Sequence, residues 1–181
     1  MSEVKTTEFF KPKCIYRNFT QAELNVQYDA RGSAPDGDKF RKFISENSAR
    51  VRKKLECQID VAYGQTEAEV VNIFPANNPN SPIVFFIHGG YWRSSSQKDV
   101  DLYAESFVPA GCAYVTVNYL LAPEASLDLI VHQCRVAFAW AYRNAVTFNG
   151  DPNKIYVMGR SAGGHLAAVE CCTGVVGGEW D

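Results

Sequence analysis

From Ile83 to Cys172 the chain alternates strand-sized apolar runs with segments of helical period, three times over. Ile83-Val84-Phe85-Phe86-Ile87 is apolar without a break, as a strand buried on both faces must be. Cys112 to Tyr119 and Ile155 to Gly159 repeat that signal. Helical sequence runs from Gln97 to about Val108, closed by Pro109 and Gly111, then from Ser126 to Phe148, and from Ser161 to about Cys172. The spacing puts Leu127, Ile130, Val131, Cys134, Phe138 and Ala141 on the inner face of the middle helix. This order predicts an α/β fold with a mostly parallel sheet, helices on both faces and right-handed crossovers. Upstream, Ile59 and Val61 alternate with polar neighbours, and Val70 to Phe74 reads as a second strand after the turn Gly64-Gln65-Thr66. The sheet therefore has about five strands, with Ile155–Gly159 at an edge that is apolar and prone to aggregation.

The first part of the chain reads differently. Thr20-Gln21-Ala22-Glu23 has the capping-box form and starts a short helix to about Ala30. Gly32 to Gly37 is rich in breakers. A second helix follows from about Asp38 to Leu55, with Phe40, Phe43, Ile44, Val51 and Leu55 on one stripe. Residues 1–56 are thus expected to be an N-terminal helical appendage, packed on the sheet or over its mouth, within one domain spanning 1–181. Thr173 to Gly178 is flexible in composition.

Composition narrows the partners. A net charge of −2 gives no electrostatic case for nucleic acid or an anionic membrane. No apolar run is long enough to span a bilayer, and the N-terminus lacks a signal-peptide core. Six cysteines form no C-x-x-C pair, so no metal site is predicted. With no leader, they point to a reducing, cytoplasmic setting. Asn18-Phe19-Thr20 matches a glycosylation sequon, but Thr20 is better read as the helix cap. The oligomeric state stays open, a homodimer included.

Two motifs carry chemistry. Gly159-Arg160-Ser161-Ala162-Gly163 fits G-x-S-x-G, entered by an apolar strand and left by a helix. Glycines at both flanks let strand and helix approach closely, and Ser161 is held at a strained corner above the sheet. The Ala162 N–H then lies at a helix N-terminus, where a developing oxyanion is favoured. His88-Gly89-Gly90-Tyr91-Trp92 follows the buried run ending at Ile87, and its glycines allow a turn that aims backbone N–H groups outward.

These motifs resemble the α/β-hydrolase superfamily, in the branch with an H-G-G oxyanion loop. The form H-G-G-Y-W is similar to the kynurenine formamidase (arylformamidase) group. So are Glu23-Leu24-Asn25-Val26-Gln27-Tyr28-Asp29-Ala30-Arg31 and Ser161-Ala162-Gly163-Gly164-His165-Leu166-Ala167, while Tyr119-Leu120-Leu121-Ala122-Pro123-Glu124 fits both branches. Arg160 stands where the formamidase pattern carries His. The resemblance implies a cofactor-free serine hydrolase with Ser161 as nucleophile. Its oxyanion donors would be the N–H groups of Gly90, Tyr91 and Ala162, with Gly89 shaping the loop. His88 would hold that loop by a side-chain hydrogen bond, and Tyr91 and Trp92 would wall or brace a small pocket. The substrate would be an aromatic formamide, N-formylkynurenine first, or an acyl ester.

A serine needs a base, and the base an orienting carboxylate. In this fold they follow the serine in the order acid, then histidine. After Ser161 come only Glu170, Glu179 and Asp181 as acids, and His165 as histidine. His165, four residues on along the same helix, points down its flank and is expected to be partly buried and bonded to backbone; His132, within the long crossover helix, is expected at the surface or in packing. Neither triad partner is assigned in this chain. The sequence reads as the N-terminal part of a hydrolase domain, as a partial sequence, truncated product or short isoform, with an inert hydrolase-fold protein as the alternative.

Overall fold

The computed structural model describes residues 13–29 and 32–172. Thr173–Gly178, Glu179 and Asp181 lie outside them, as do the side chains of Cys171 and Cys172. The chain divides into two compact units, Met1–Arg41 and Lys42–Asp181.

In the first unit Thr20 caps α1 (Gln21–Tyr28). Its hydroxyl accepts the Glu23 N–H at 3.3 Å, and the Glu23 carboxylate accepts the Thr20 N–H at 2.7 Å. Two orphan donors at the helix start are thereby satisfied, as the sequence predicts. The unit boundary falls inside α2 (Gly37–Lys54). The predicted apolar stripe of α2 holds only at its C-terminal end. There Ser48 and Val51 are buried and Leu55 is half-buried, whereas Phe40 and Phe43 are exposed. Basic side chains at that end reach across to the segment 101–105. Arg50 and Lys54 both reach Glu105, at 2.9 and 2.7 Å, and Arg52 reaches Asp101 at 2.7 Å.

The second unit is built on β1 (Gln58–Ala62), β2 (Val70–Phe74), β3 (Ser81–Ile87), β4 (Ala113–Val117) and β5 (Gly150–Gly159), ordered β1-β2-β4-β3-β5. β3 pairs in parallel with β4 and β5, while β2 runs antiparallel to both β1 and β4. Four of the five strands therefore point one way, and β1–β2 is the predicted hairpin. Phe85 at the centre of β3 stands opposite Val115 on one side and Val157 on the other. Side chains of β3 alternate between two cores. Phe85 and Ile87 pack with Ile130, Cys134, Ala137 and Leu166, whereas Val84 and Phe86 pack with Val51, Phe74, Val100, Ala104 and Tyr114. Both faces are thus covered, as a run without polar residues requires.

Three local expectations change. The segment after β3 is not one helix but two tight turns, Gln97–Asp99 and Asp101–Tyr103, leading into α3 (Ala104–Phe107). The break accompanies Asp101, which turns inward and is fully buried. Its carboxylate accepts from Arg52 at 2.7 Å and from Asn72 and Thr116 at 2.8 Å each. Burial pushes that carboxyl up from its ordinary range, and the three donors pull it back. Second, α4 (Leu127–Asn144) is capped by Ser126, whose hydroxyl accepts the Leu129 N–H at 3.2 Å. Leu127 is then the first helical residue, beyond the edge of the covered face, and it is 43% exposed instead of inward. Third, the strand expected over Ile155–Gly159 starts earlier, at Gly150, directly after Asn149, which turns the chain with φ 64°. β5 lies at the sheet edge, with Tyr156 60% exposed.

Candidate active site

Ser161 is the corner residue between β5 and α5 (Ala162–Cys172), with φ 56°. A non-glycine residue at positive φ is uncommon, and such strain collects at functional corners. The helix starts at once: the Gly164 and His165 N–H groups donate to the Ser161 carbonyl at 2.9 and 3.2 Å. The elbow crosses directly over the end of β3. The Arg160 N–H donates to Ile87 O at 3.4 Å, and a Cβ at Gly163 would run into the carbonyls of Ile87 and His88. These are rigid backbone atoms. Gly163→Ala is therefore expected to lower stability by about 1–3 kcal/mol, as overpacking does, read as an earlier urea midpoint at unchanged slope. An unchanged midpoint would show that the two chain segments can separate without cost.

The second motif lies against the elbow. A Cβ at Gly89 would stand 3.2 Å from the Ser161 Cβ and 2.5 Å from the Arg160 carbonyl, so the loop backbone packs directly against the serine corner. After Gly90 (φ 112°) come Tyr91 (φ 58°) and Trp92 (φ 57°), and the Arg93 N–H closes back on Gly90 O at 3.1 Å. Two positive φ values in succession are the mark of a type I′ turn. Such turns normally use Asn and Gly; bulky aromatics there are strained. The N–H groups of Gly90 and Tyr91, and that of Ala162 at the start of α5, donate to no described residue.

Packing holds this loop from below. His88 is fully buried, and its Nδ1–H donates to Gly89 O at 2.7 Å. Its ring stacks on Tyr119, with centroids 4.2 Å apart and planes 3° from parallel. The Tyr119 hydroxyl donates to His88 O at 2.8 Å. Burial pulls the His88 imidazole down from its usual range. Tyr119 as a brace was not predicted; its sequence signals were its place at the end of a buried apolar run and at the head of the Tyr119–Glu124 stretch shared with both branches. Trp92 packs edge-on against His165, 5.3 Å between centroids, and its carbonyl accepts the Ala122 N–H at 2.8 Å.

The remaining candidates stand apart from the serine. His165 is exposed on α5, not partly buried and bonded to backbone as expected. Side-chain contact with Trp92 takes the place of that bond. His132 is exposed. Glu170 is buried, and burial pushes its carboxyl up to about 7 while Arg135 pulls it down. No described histidine or carboxylate hydrogen-bonds the Ser161 hydroxyl. Among the described residues no His, Cys, Asp and Glu cluster could hold a metal, and no helix is long and apolar enough to cross a membrane.

The five-stranded sheet, the glycine-flanked serine corner and the H-G-G-x-W loop beside it define an α/β-hydrolase of the H-G-G-x-W esterase group. The BD-FAE family model matches residues 72–177, and the chain belongs to that family. It is 30% identical over 166 residues to the kynurenine formamidase of Danio rerio, covering 87% of this chain and 55% of the relative. To the carboxylesterase NlhH of Mycobacterium tuberculosis it is 36% identical over 96 residues, covering 52% of this chain and 30% of the relative. A Silicibacter sp. tm1040 crystal structure, provisionally assigned as a thioesterase, superposes with a TM-score of 0.71 at 26% identity, over 81% of this chain and 54% of that one. Esterase B of Lactobacillus rhamnosis shares the fold, with a TM-score of 0.64 at 22% identity, over 75% of this chain and 46% of the esterase. The chain spans about half the length of the formamidases it matches.

Proposed function

We propose that this chain carries the nucleophile and oxyanion half of a serine hydrolase acting on a small amide or ester, N-formylkynurenine first. The observation that carries the reading is Ser161, held at φ 56° with Gly89 flush against its Cβ. In this reading the Ser161 oxygen attacks the formyl carbonyl. The N–H groups of Gly90, Tyr91 and Ala162 take the oxyanion, a stabilisation worth about 10²–10³-fold per donor in a studied protease. The tetrahedral intermediate collapses with loss of the protonated aniline nitrogen. Water then attacks the formyl-serine, releasing formate and the free hydroxyl. Accepting and returning the serine proton requires a histidine and its carboxylate; the reading assigns neither role to a described residue. The fish formamidases support the formamide substrate.

A second reading, a carboxylesterase on short acyl esters, is supported by the higher identity to the M. tuberculosis enzyme over a shorter stretch. Comparing kcat/KM for N-formylkynurenine and p-nitrophenyl acetate separates the two. The formamide is expected to be preferred by at least about tenfold, or 1.4 kcal/mol of transition-state binding. Equal values, or preference for the ester, reject the formamidase assignment and leave the esterase.

A further inference from the structure

The turn that carries the Tyr91 N–H is held in a costly conformation. Tyr91 and Trp92 both stand in the left-handed region, with φ 58° and 57°. Bulky residues keep such a backbone only where their surroundings enforce it. The Tyr91 side chain is 56% exposed and supplies little of that hold. Within the turn, the Arg93 N–H and the Ser94 hydroxyl both donate to Gly90 O, at 3.1 and 3.0 Å. These bonds fold the turn but do not seat it on the rest of the chain. Trp92 does that. Its carbonyl accepts the Ala122 N–H at 2.8 Å, and its ring meets the His165 ring edge-on, with planes 87° apart. The Trp92 Nε1–H is buried with no acceptor among the described residues. No hydrogen bond therefore fixes the indole, and ring packing has to.

His165 is suited to that task from the other side. It lies in the first turn of α5, and its N–H donates to the Ser161 carbonyl at 3.2 Å. Its imidazole forms no ion pair or hydrogen bond with a described residue; the contact with Trp92 is its interaction. One residue thus holds the serine corner by its backbone and the neighbouring turn by its side chain. We propose that His165 is a positioning residue: its ring seats the Trp92 indole and so sets where the Tyr91 N–H stands relative to Ser161. An edge-on aromatic contact needs a flat ring, not a titrating nitrogen. A phenyl ring can therefore serve and a methyl group cannot, which separates this role from that of a base. The use of the Tyr91 N–H as an oxyanion donor rests on the serine-hydrolase reading above; the seating of the indole does not.

The test compares the 181-residue chain with its His165→Ala and His165→Phe variants. Position 165 is exposed, so both variants should keep the parent's urea midpoint. Exchange of the Trp92 indole N–H, assigned by its loss in Trp92→Phe, is followed by NMR. Labelling of Ser161 by a fluorophosphonate is followed by mass spectrometry. His165→Ala is expected to speed indole exchange at least about tenfold, by local opening of the ring. It should also slow labelling at least about tenfold, since a misplacement of about 1 Å can cost about 10²-fold. His165→Phe should hold both rates within about threefold of the parent's, because it keeps the ring contact. Indole exchange unchanged in His165→Ala, or raised equally in His165→Phe, would overturn the proposal. So would labelling of His165→Ala at the parent's rate, or an equal loss of labelling in both variants, which would make the imidazole a chemical participant. A parent chain that is not labelled at all would reject the hydrolase reading, and indole exchange would then decide the seating by itself.

Discussion

Treatment with a fluorophosphonate is expected to place its adduct on the peptide carrying Ser161, and Ser161→Ala to remove it. The chain has many hydroxyl groups, and an ordinary serine reacts negligibly with such reagents. What distinguishes Ser161 is its surroundings. It is exposed, at a strained corner, and at the N-terminus of α5, and in the reading proposed above the N–H groups of Gly90, Tyr91 and Ala162, which have no described partner, are its oxyanion donors. The phosphoryl oxygen of the reagent develops the charge those donors would meet in a substrate. Donors and binding alone sustain about 10³–10⁴-fold over water in a protease stripped of its triad. In this chain slow, site-selective labelling is therefore expected, at least about 10³-fold above a control serine, with all of the excess lost in Ser161→Ala. Mass spectrometry of the digested adduct reads both results. An adduct spread over several serines, or unchanged in the alanine variant, would mean that the corner activates nothing.

Asp101→Ala is expected to destabilise the second unit by about 3–5 kcal/mol, the range found when one partner of a buried ion pair is removed. The deletion would leave three donors behind: the Arg52 guanidinium, the Asn72 amide and the Thr116 hydroxyl. Asn72 and Thr116 are fully buried, whereas the Arg52 side chain is 21% exposed and can rehydrate in part. That places the effect near the lower end of the range. With a urea slope of about 1–3 kcal/mol/M, the midpoint should fall by roughly 1–3 M at constant slope. A shift below about 0.3 M would show that water replaces the carboxylate without loss. Because the donors come from α2, β2 and β4, the damage should extend to the attachment of α2. Faster amide exchange at Val51 would report it.

The parts of this architecture that were legible in the sequence are those fixed by short stretches of chain. The elbow needs glycines within two residues of Ser161, and the loop needs them directly after His88; both signals are local. The alternating apolar runs gave the layers because each buried strand announces itself by the absence of polar residues. Features set by distant partners were not legible. Asp101 lies in a stretch that reads as helix, and only Arg52, Asn72 and Thr116, far away in sequence, make its burial tolerable. Phe43 and Leu127 have the period of inward residues but fall beyond the surfaces that would cover them. His165 has helical spacing for a flank position, yet its neighbour turned out to be Trp92, from a loop some seventy residues earlier.

The order β1-β2-β4-β3-β5 also has a consequence for the birth of the protein on the ribosome. The hairpin β1–β2 can close as soon as it emerges, but β3 waits for partners not yet made. Its first neighbour, β4, begins some thirty residues later, and Ile155, which pairs with Ile83, more than seventy residues later. At about 5–20 residues per second, the most apolar strand of the fold stays single for several seconds. Nascent-chain binding by a holdase chaperone should therefore peak after Ile87 has left the exit tunnel and fall once Gly159 has followed.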